Sequence, residues 1–425
     1  MSYAAFLERK MSTGQEFGMA VNTADMHPML HEWQKELVQW ACQVGRAALW
    51  ADTGLGKTIM QVEWARNVGD RVLIIAPLAV CHQTVREAAK IGVTARYLTE
   101  DDGEPGIMVT NYERVHNFGH VDGVVLDEAS ILKQSTGATR TALIEQFAST
   151  QYRLACTATP APNDVEELTN QAAFLGVSTR ANMLAAYFIH DSDGWRLKGH
   201  GKAPLFRWMS SWAVAVRKPS DLGYPDDGYD LPGLDIVPHF IDVEHAPSDQ
   251  LFATDLGGVG GRAKVRRDTL VARVARAVEL VQSEPDEPWL LWCGLNDEAD
   301  ALAKALPGAV NVKGAMSPEA KADGLLGFAD GDIQILITKP SMAAFGLNWQ
   351  HCARMVFVGM SDSYEAYYQS IRRCYRYGQT REVVAHIVLS DLESQIATNV
   401  ARKEAQAADV MNELVNHMNQ AKESA

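Results

Sequence analysis

No apolar run in this 425-residue sequence is long enough to cross a membrane. No apolar signal core follows the charged Glu8, Arg9 and Lys10 near its start, so a soluble, cytoplasmic protein is expected. Cysteine is scarce. Cys42, Cys81, Cys156, Cys293, Cys352 and Cys374 include no CxxC pair, which excludes a zinc site or disulfide framework of recognisable spacing. Several lie in apolar stretches, where cysteine behaves as a small hydrophobe. Excess positive charge is also lacking. The net charge of −14 excludes a wholesale basic coat for nucleic acid but leaves room for a local basic groove. What is present is an ordinary globular composition, 47% hydrophobic and 22% charged, long enough for two or three domains.

The pattern along the chain is α/β: two parallel-sheet domains in tandem with a helical insertion between them. Residues 1–29 read as a polar lead-in with a short helix. Residues 30–175 alternate helices with short apolar strands near 47–51, 72–76, 106–110, 122–127 and 152–156, the rhythm of a parallel sheet. Residues 176–235 break that rhythm with Trp195, Trp208 and Trp212, then Pro219, Pro225 and Pro232 among Asp and Gly; they read as a helical appendage and linker. A second α/β series over 236–390 has a glycine-rich turn at 257–261, a long helix near 265–282, and strands near 289–293, 309–312, 333–338, 354–359 and 383–389. Residues 391–425 read as a C-terminal helix.

The stretch Ala51-Asp52-Thr53-Gly54-Leu55-Gly56-Lys57-Thr58 follows an apolar strand and opens a helix. It fits the Walker A phosphate loop with alanine in place of the leading glycine. Glycines let the backbone approach phosphates, helix N–H groups face the anion, Lys57 reaches the outer phosphates and Thr58 can hold Mg²⁺. The expected ligands are therefore ATP and Mg²⁺, with Asp52, Thr53, Gly54, Leu55, Gly56, Lys57 and Thr58 in contact. Downstream, Gly123-Val124-Val125-Leu126-Asp127-Glu128 is an apolar strand ending in two acids. Such a pair can be a plain solvated turn. After a Walker A loop it reads as Walker B, with Asp127 holding Mg²⁺ through water and Glu128 activating the attacking water.

Basic residues cluster in three places: Arg196, Lys198, Lys202 and Arg207; Arg262, Lys264, Arg266, Arg267, Arg273 and Arg276; and Arg372, Arg373 and Arg376. Each of the first two could be a solvated face or a nucleic-acid groove. The third reads as a helix ending at Gly378, and arginine there stays charged and can fork two N–H donors onto phosphate oxygens.

From Leu30 to about Leu389 these motifs resemble, in order and spacing, the superfamily-two helicases, and within them the Swi/Snf-like double-stranded DNA translocases. The chain looks most like the compact DEAD/DEAH-type helicases carried by phages and prophages. The resemblance implies two RecA-like domains with ATP hydrolysed at the cleft between them. Trp33-Gln34 is similar to the adenine-recognition motif. Ile75-Ala76-Pro77-Leu78 and Val109-Thr110-Asn111-Tyr112-Glu113 resemble nucleic-acid-contacting motifs, implying contacts from Pro77, Asn111 and Tyr112. Cys156-Thr157-Ala158-Thr159-Pro160 resembles the coupling motif, whose Thr157 and Thr159 would bond to the Walker B region and report hydrolysis to the DNA groove. Lys133 falls where this group has a lysine.

In the second half the resemblance assigns DNA contact to Lys339 and Asn348, nucleotide contact to Gly346, and catalytic roles to Gln369, Arg373 and Arg376 as residues that meet the γ-phosphate. Arg372 matches no such role. Three positions depart from the group: Ser130 replaces a histidine, Thr157-Ala158 replaces glycine-threonine, and Met342-Ala343-Ala344 replaces a glycine-rich run.

The function so implied is a nucleic-acid-stimulated ATPase, a translocase or remodeller on duplex DNA without sequence specificity, with no membrane partner. A protein partner in DNA processing or phage replication and recombination is compatible with it. Two alternatives stay open: a strand-separating helicase on DNA or RNA, and an ATP-gated DNA clamp scaffolding a nuclease or methyltransferase.

Overall fold

The computed structural model describes residues 17–133, 137–192, 194–241, 269–345, 348–359, 363–390 and 394–423. The chain divides into two units, residues 1–227 with 403–425, and residues 228–402.

In the first unit, β1 (Arg46–Ala51), β2 (Arg71–Ala76), β3 (Ala95–Tyr97), β4 (Gly106–Asn111), β5 (Gly123–Asp127), β6 (Tyr152–Cys156) and β9 (Ala213–Val216) form a parallel sheet in the order β3-β4-β2-β5-β6-β1-β9. The central strands are buried on both faces, which is why they read as unbroken apolar runs. A hairpin, β7 (Phe188–Asp191) with β8 (Gly194–Leu197), stands apart from this sheet.

Four of these strands escaped the sequence pattern, β7 and β8 among them, since both lie in the stretch read as a helical appendage. β3 has only three residues, too few to show a period. β9 lies inside 176–235, the stretch read as appendage, yet it pairs in parallel with β1 from Ala48↔Ala213 to Ala51↔Val216. The tryptophans of that stretch serve packing: Trp212 is buried and meets Trp50 edge-on at 5.8 Å and Trp208 at 5.3 Å. The core of the first unit also takes in Val410, Met411, Leu414 and Val415 from the helix Ser394–Glu423.

In the second unit, β10 (Leu234–Ile241), β11 (Trp289–Cys293), β12 (Val310–Asn311), β13 (Ile335–Thr338), β14 (Arg354–Val358) and β15 (Val383–Ser390) form a parallel sheet in the order β10-β15-β14-β11-β13-β12. β10 starts inside the stretch read as linker. It carries Pro238, which an edge strand tolerates because its missing N–H breaks no internal ladder. The glycine-rich turn at 257–261 and the basic residues Arg262, Lys264, Arg266 and Arg267 lie outside the described residues. Arg273 and Arg276 are described, and they make no open basic face. Arg273 is fully buried on the helix Leu270–Ser283, with Nη1 donating to Glu298 Oε1 at 2.8 Å and to the Val358 carbonyl at 2.8 Å. Arg276 pairs with Glu279.

Glu298 uses its other oxygen to accept the Gly294 and Leu295 N–H groups at 2.8 and 2.9 Å, so the pair ties the ends of β11 and β14 together. Removing one partner leaves a buried charge uncompensated. Arg273→Ala is expected to cost about 3–5 kcal/mol in a denaturant titration, whereas the joint exchange Arg273→Met with Glu298→Leu costs less. No helix among the described residues is long and apolar enough to cross a membrane.

Candidate nucleotide site and arginine segment

β1 runs into the turn 52–56 and then the helix Lys57–Val68. Gly54 (φ 86°) and Gly56 (φ 75°) both adopt the left-handed region, which glycine enters without a Cβ penalty. At Gly56 a Cβ would also stand 2.5 Å from Gln34 Nε2, so the Gln34 side chain would have to move. The Lys57 amine donates to the Ala51 and Asp52 carbonyls at 2.9 and 3.2 Å, and Asp52 Oδ1 accepts the Thr53 N–H at 2.6 Å. The loop is thus held in its cradle shape by its own lysine and aspartate.

Gln34 joins the preceding helix (Glu32–Val44) to this loop. Its Nε2 donates to the Leu55 carbonyl at 3.0 Å, and its Oε1 accepts the His31 N–H at 2.9 Å. Each of those amide atoms keeps one further hydrogen-bonding site for a base edge. Trp33 is 3% exposed and stacks on His31 at 6.2 Å, so it offers little free ring surface.

The two acids stand at the end of β5, two strands from β1 in the sheet order. Asp127 is buried and its Oδ1 accepts from Gln61 Nε2 at 2.7 Å, while its carbonyl accepts from the Tyr112 hydroxyl at 2.6 Å. Burial raises the Asp127 carboxyl above its usual range, opposed by Gln61 and by the charge of Lys57. Glu128 is the non-glycine residue with positive φ among the described residues, at 57°. Strain of this kind costs about 1–3 kcal/mol and gathers at functional positions. The Glu128 side chain is held from β6, with Thr157 Oγ1 donating to its Oε2 at 3.3 Å, and Thr157 Oγ1 in turn accepts the Thr159 N–H at 3.1 Å. Thr157 makes the bond implied for the coupling motif, whereas the buried Thr159 hydroxyl has no hydrogen-bond partner in the described structure and does not bond to the Walker B region.

Gln61 was not singled out in the sequence. Its signal was position: it follows Lys57 by four residues, so both share one helix face. Its Oε1 is buried without a hydrogen-bond partner in the described structure. Together with Thr58 and Asp127 this makes an oxygen-rich set, the donor chemistry that Mg²⁺ takes. Gln61→Leu removes the bond that orients Asp127. It is expected to weaken metal affinity by about 10–100-fold, read from the Mg²⁺ dependence of turnover.

The remaining first-unit candidates lie on the same edge, at the C-terminal ends of β2, β4 and β6, where ligands bind in parallel sheets. Pro77 precedes the helix Leu78–Lys90. Asn111 is buried and bonds Glu113. Tyr112 is buried too, and its hydroxyl donates inward to the Asp127 carbonyl. Lys133 ends a short 3-10 turn after Glu128, and Asn170 Nδ2 reaches its carbonyl at 3.3 Å. In the basic group of 196–207, Arg196 pairs with Asp191, Lys202 with Glu413, and Lys198 donates to the Ala185 and Ala186 carbonyls.

In the second unit the helix carrying Gln369 is Tyr364–Ile371, shorter than the sequence reading. Arg372, Arg373 and Arg376 follow it on successive turns that end at Gly378 (φ 89°). Beyond the end of the helix, the Arg373 carbonyl accepts from the Trp349 N–H at 2.9 Å. Buried Gln379 fixes the turns by donating to the Cys352 and Cys374 carbonyls at 3.1 and 3.3 Å. Burial, then Arg373 and Arg372, push the Arg376 guanidinium down to about 10. Arg372 lies over the rings of Tyr368 and Tyr375 at 5.1 and 5.2 Å. Lys339 follows β13 and Asn348 is exposed. Gly346 lies outside the described residues.

Residues 29–183 match the SNF2-related domain, and residues 272–378 match the helicase conserved C-terminal domain. The chain is an SNF2-related ATPase with a helicase C-terminal domain. Its reaction is nucleic-acid-dependent ATP hydrolysis. Each of the two matched domains is built on a parallel sheet. A solved structure of the Sulfolobus solfataricus SWI2/SNF2 ATPase core in complex with dsDNA is similar at 19% identity over 96% of this chain and 98% of that chain, with a TM-score of 0.44. No curated protein sequence matches the chain. Neither domain match singles out phage or prophage proteins.

Proposed function

We propose that the SNF2-related ATPase translocates on double-stranded DNA, contacting phosphate and sugar rather than base edges. The observation that carries the reading is the bond from Thr157 to Glu128. It joins the acid placed to handle the attacking water to the loop expected to feel the DNA.

In this mechanism the loop 52–58 wraps the phosphates of ATP, and Gln34 reads the adenine edge with its remaining amide capacity. Lys57 exchanges its two carbonyl partners for the outer phosphates, releasing the loop from its self-closed form. Bound Mg²⁺ supplies charge neutralisation, and Thr58 and Asp127 are the residues that would hold it. Glu128 orients the attacking water and takes its proton at a carboxylate oxygen, and the bond to the γ-phosphorus forms as the bond to the leaving ADP oxygen breaks. Arg373 and Arg376 stabilise the charge on the transferring phosphoryl group, and Gln369 positions the water. Pro77, Asn111, Thr159, Lys339 and Asn348 serve DNA contact or coupling.

Displacement of a third strand from a DNA triplex tests the reading. ATP-dependent triplex displacement without unwinding of a forked duplex supports it. Unwinding of the fork with no triplex displacement would assign the chain to strand separation instead.

A further inference from the structure

The chain passes from the first unit to the second between Asp227 and Gly228. Up to that point the connecting segment is fastened to the first unit. Asp226 accepts the Ser220 N–H at 2.7 Å with Oδ1 and pairs with Lys218 Nζ at 2.8 Å through Oδ2, just beyond β9. The Tyr224 hydroxyl donates to Glu36 Oε1 on the helix Glu32–Val44, which also carries Gln34.

Immediately past the crossing the segment is fastened to the turns that hold the arginines. Gly228 (φ 79°) lies against the Tyr377 ring, so that a Cβ there would stand 3.4 Å from Tyr377 Cε2. Tyr229 is half-buried, and its ring packs on that of Tyr377 with centroids 4.9 Å apart and planes inclined by 31°. Tyr377 directly follows Arg376, and its carbonyl accepts from Gln350 Nε2 at 3.4 Å. Tyr377 is 45% exposed, so its ring is not locked in a core, and what Gly228 and Tyr229 lay against it counts for its placement.

We propose that Tyr229 is a positioning residue for ATP hydrolysis: its ring holds Tyr377, and through it the turn bearing Arg376, where the chain enters the second unit. The inference rests on the assignment of Arg376 to the transferring phosphoryl group. The two tyrosines bracket the crossing. Tyr224 ties one side to the helix bearing Gln34, and Tyr229 ties the other to the turn bearing Arg376. An aromatic pair of this geometry is worth up to about tenfold in an equilibrium, and a misplacement of about 1 Å in a reacting site can cost about 100-fold in rate.

Steady-state hydrolysis by the full chain at saturating duplex DNA, beside equilibrium binding of a fluorescent ATP analogue, tests the proposal. Tyr229→Ala should lower kcat by about tenfold and leave KM for ATP and the analogue affinity unchanged. Tyr229→Phe keeps the ring and should turn over near the wild-type rate. Tyr377→Ala should reproduce the loss, and the joint variant should lose no more than the larger single loss, because both changes remove one contact. An unchanged kcat in Tyr229→Ala, a raised KM with kcat kept, an equal loss in Tyr229→Phe, or multiplied losses in the joint variant would overturn the proposal. Arg376→Ala in the same assay separates it from the reading beneath it. If Arg376→Ala loses turnover and Tyr229→Ala does not, the positioning role alone fails. If Arg376→Ala keeps its turnover, the arginine assignment fails and the positioning role with it.

Discussion

Arg376→Ala is expected to leave ATP binding near the wild-type level and to lower nucleic-acid-stimulated turnover by about 10³–10⁵-fold, the range for arginine fingers in phosphoryl transfer. The expectation rests on where the charge is held. Arg376 sits among Arg373 and Arg372 on turns fixed by Gln379 and by the Trp349 N–H. Burial and like charge bring its guanidinium down to about 10, still far above neutral pH, so it stays a full cation, and an incoming anion would relieve its repulsion. That relief grows with the charge that develops on the transferring group, so its loss falls on turnover more than on binding. Arg376→Lys should recover only part of the rate, because an ammonium lacks the planar fork. Single-turnover hydrolysis beside equilibrium binding of a fluorescent ATP analogue separates the two effects.

Glu128→Gln is expected to keep ATP binding and to reduce hydrolysis by about 10²–10⁴-fold, the usual contribution of a positioned general base. The substitution is nearly isosteric, and glutamine keeps an oxygen able to accept from Thr157 Oγ1. The φ of 57° and the Thr157 bond can both persist while the proton acceptor is lost. Thr157→Val does the reverse. It keeps the carboxylate but frees its orientation, so it should lower stimulation by DNA more than the basal rate. If Glu128→Gln hydrolysed ATP at the wild-type rate, the proton would have to be taken elsewhere. Quench-flow measurement of product formation, with trapped nucleotide counted in the same samples, reads both quantities.

Much of this arrangement was legible in the sequence because it depends on backbone chemistry that few residues satisfy. Gly54 and Gly56 mark left-handed turns, Lys57 opens a helix, and Asp127 ends a strand buried on both faces. What escaped notice depended on partners far away along the chain. Ala213–Val216 becomes a strand because β1 offers it an open edge, which four residues of alternating Ala and Val cannot announce. Arg273 read as part of a basic face, yet Glu298 and the Val358 carbonyl draw it fully inside. The helix bearing Gln369 read as continuous to Gly378, but it ends at Ile371, and the arginines follow on turns held by Gln379 and by the Trp349 N–H, partners that local pattern does not show. Gln61 shows no chemistry of its own in sequence and acquires it only when Asp127 stands 2.7 Å away.

The steady-state rate of ATP hydrolysis, measured side by side with duplex DNA, single-stranded DNA, RNA and no nucleic acid, tests the central claim most directly. A duplex DNA motor predicts a low rate without nucleic acid and the strongest stimulation by duplex DNA, independent of its sequence. An equal rate in all four reactions, or stimulation by RNA alone, would contradict it.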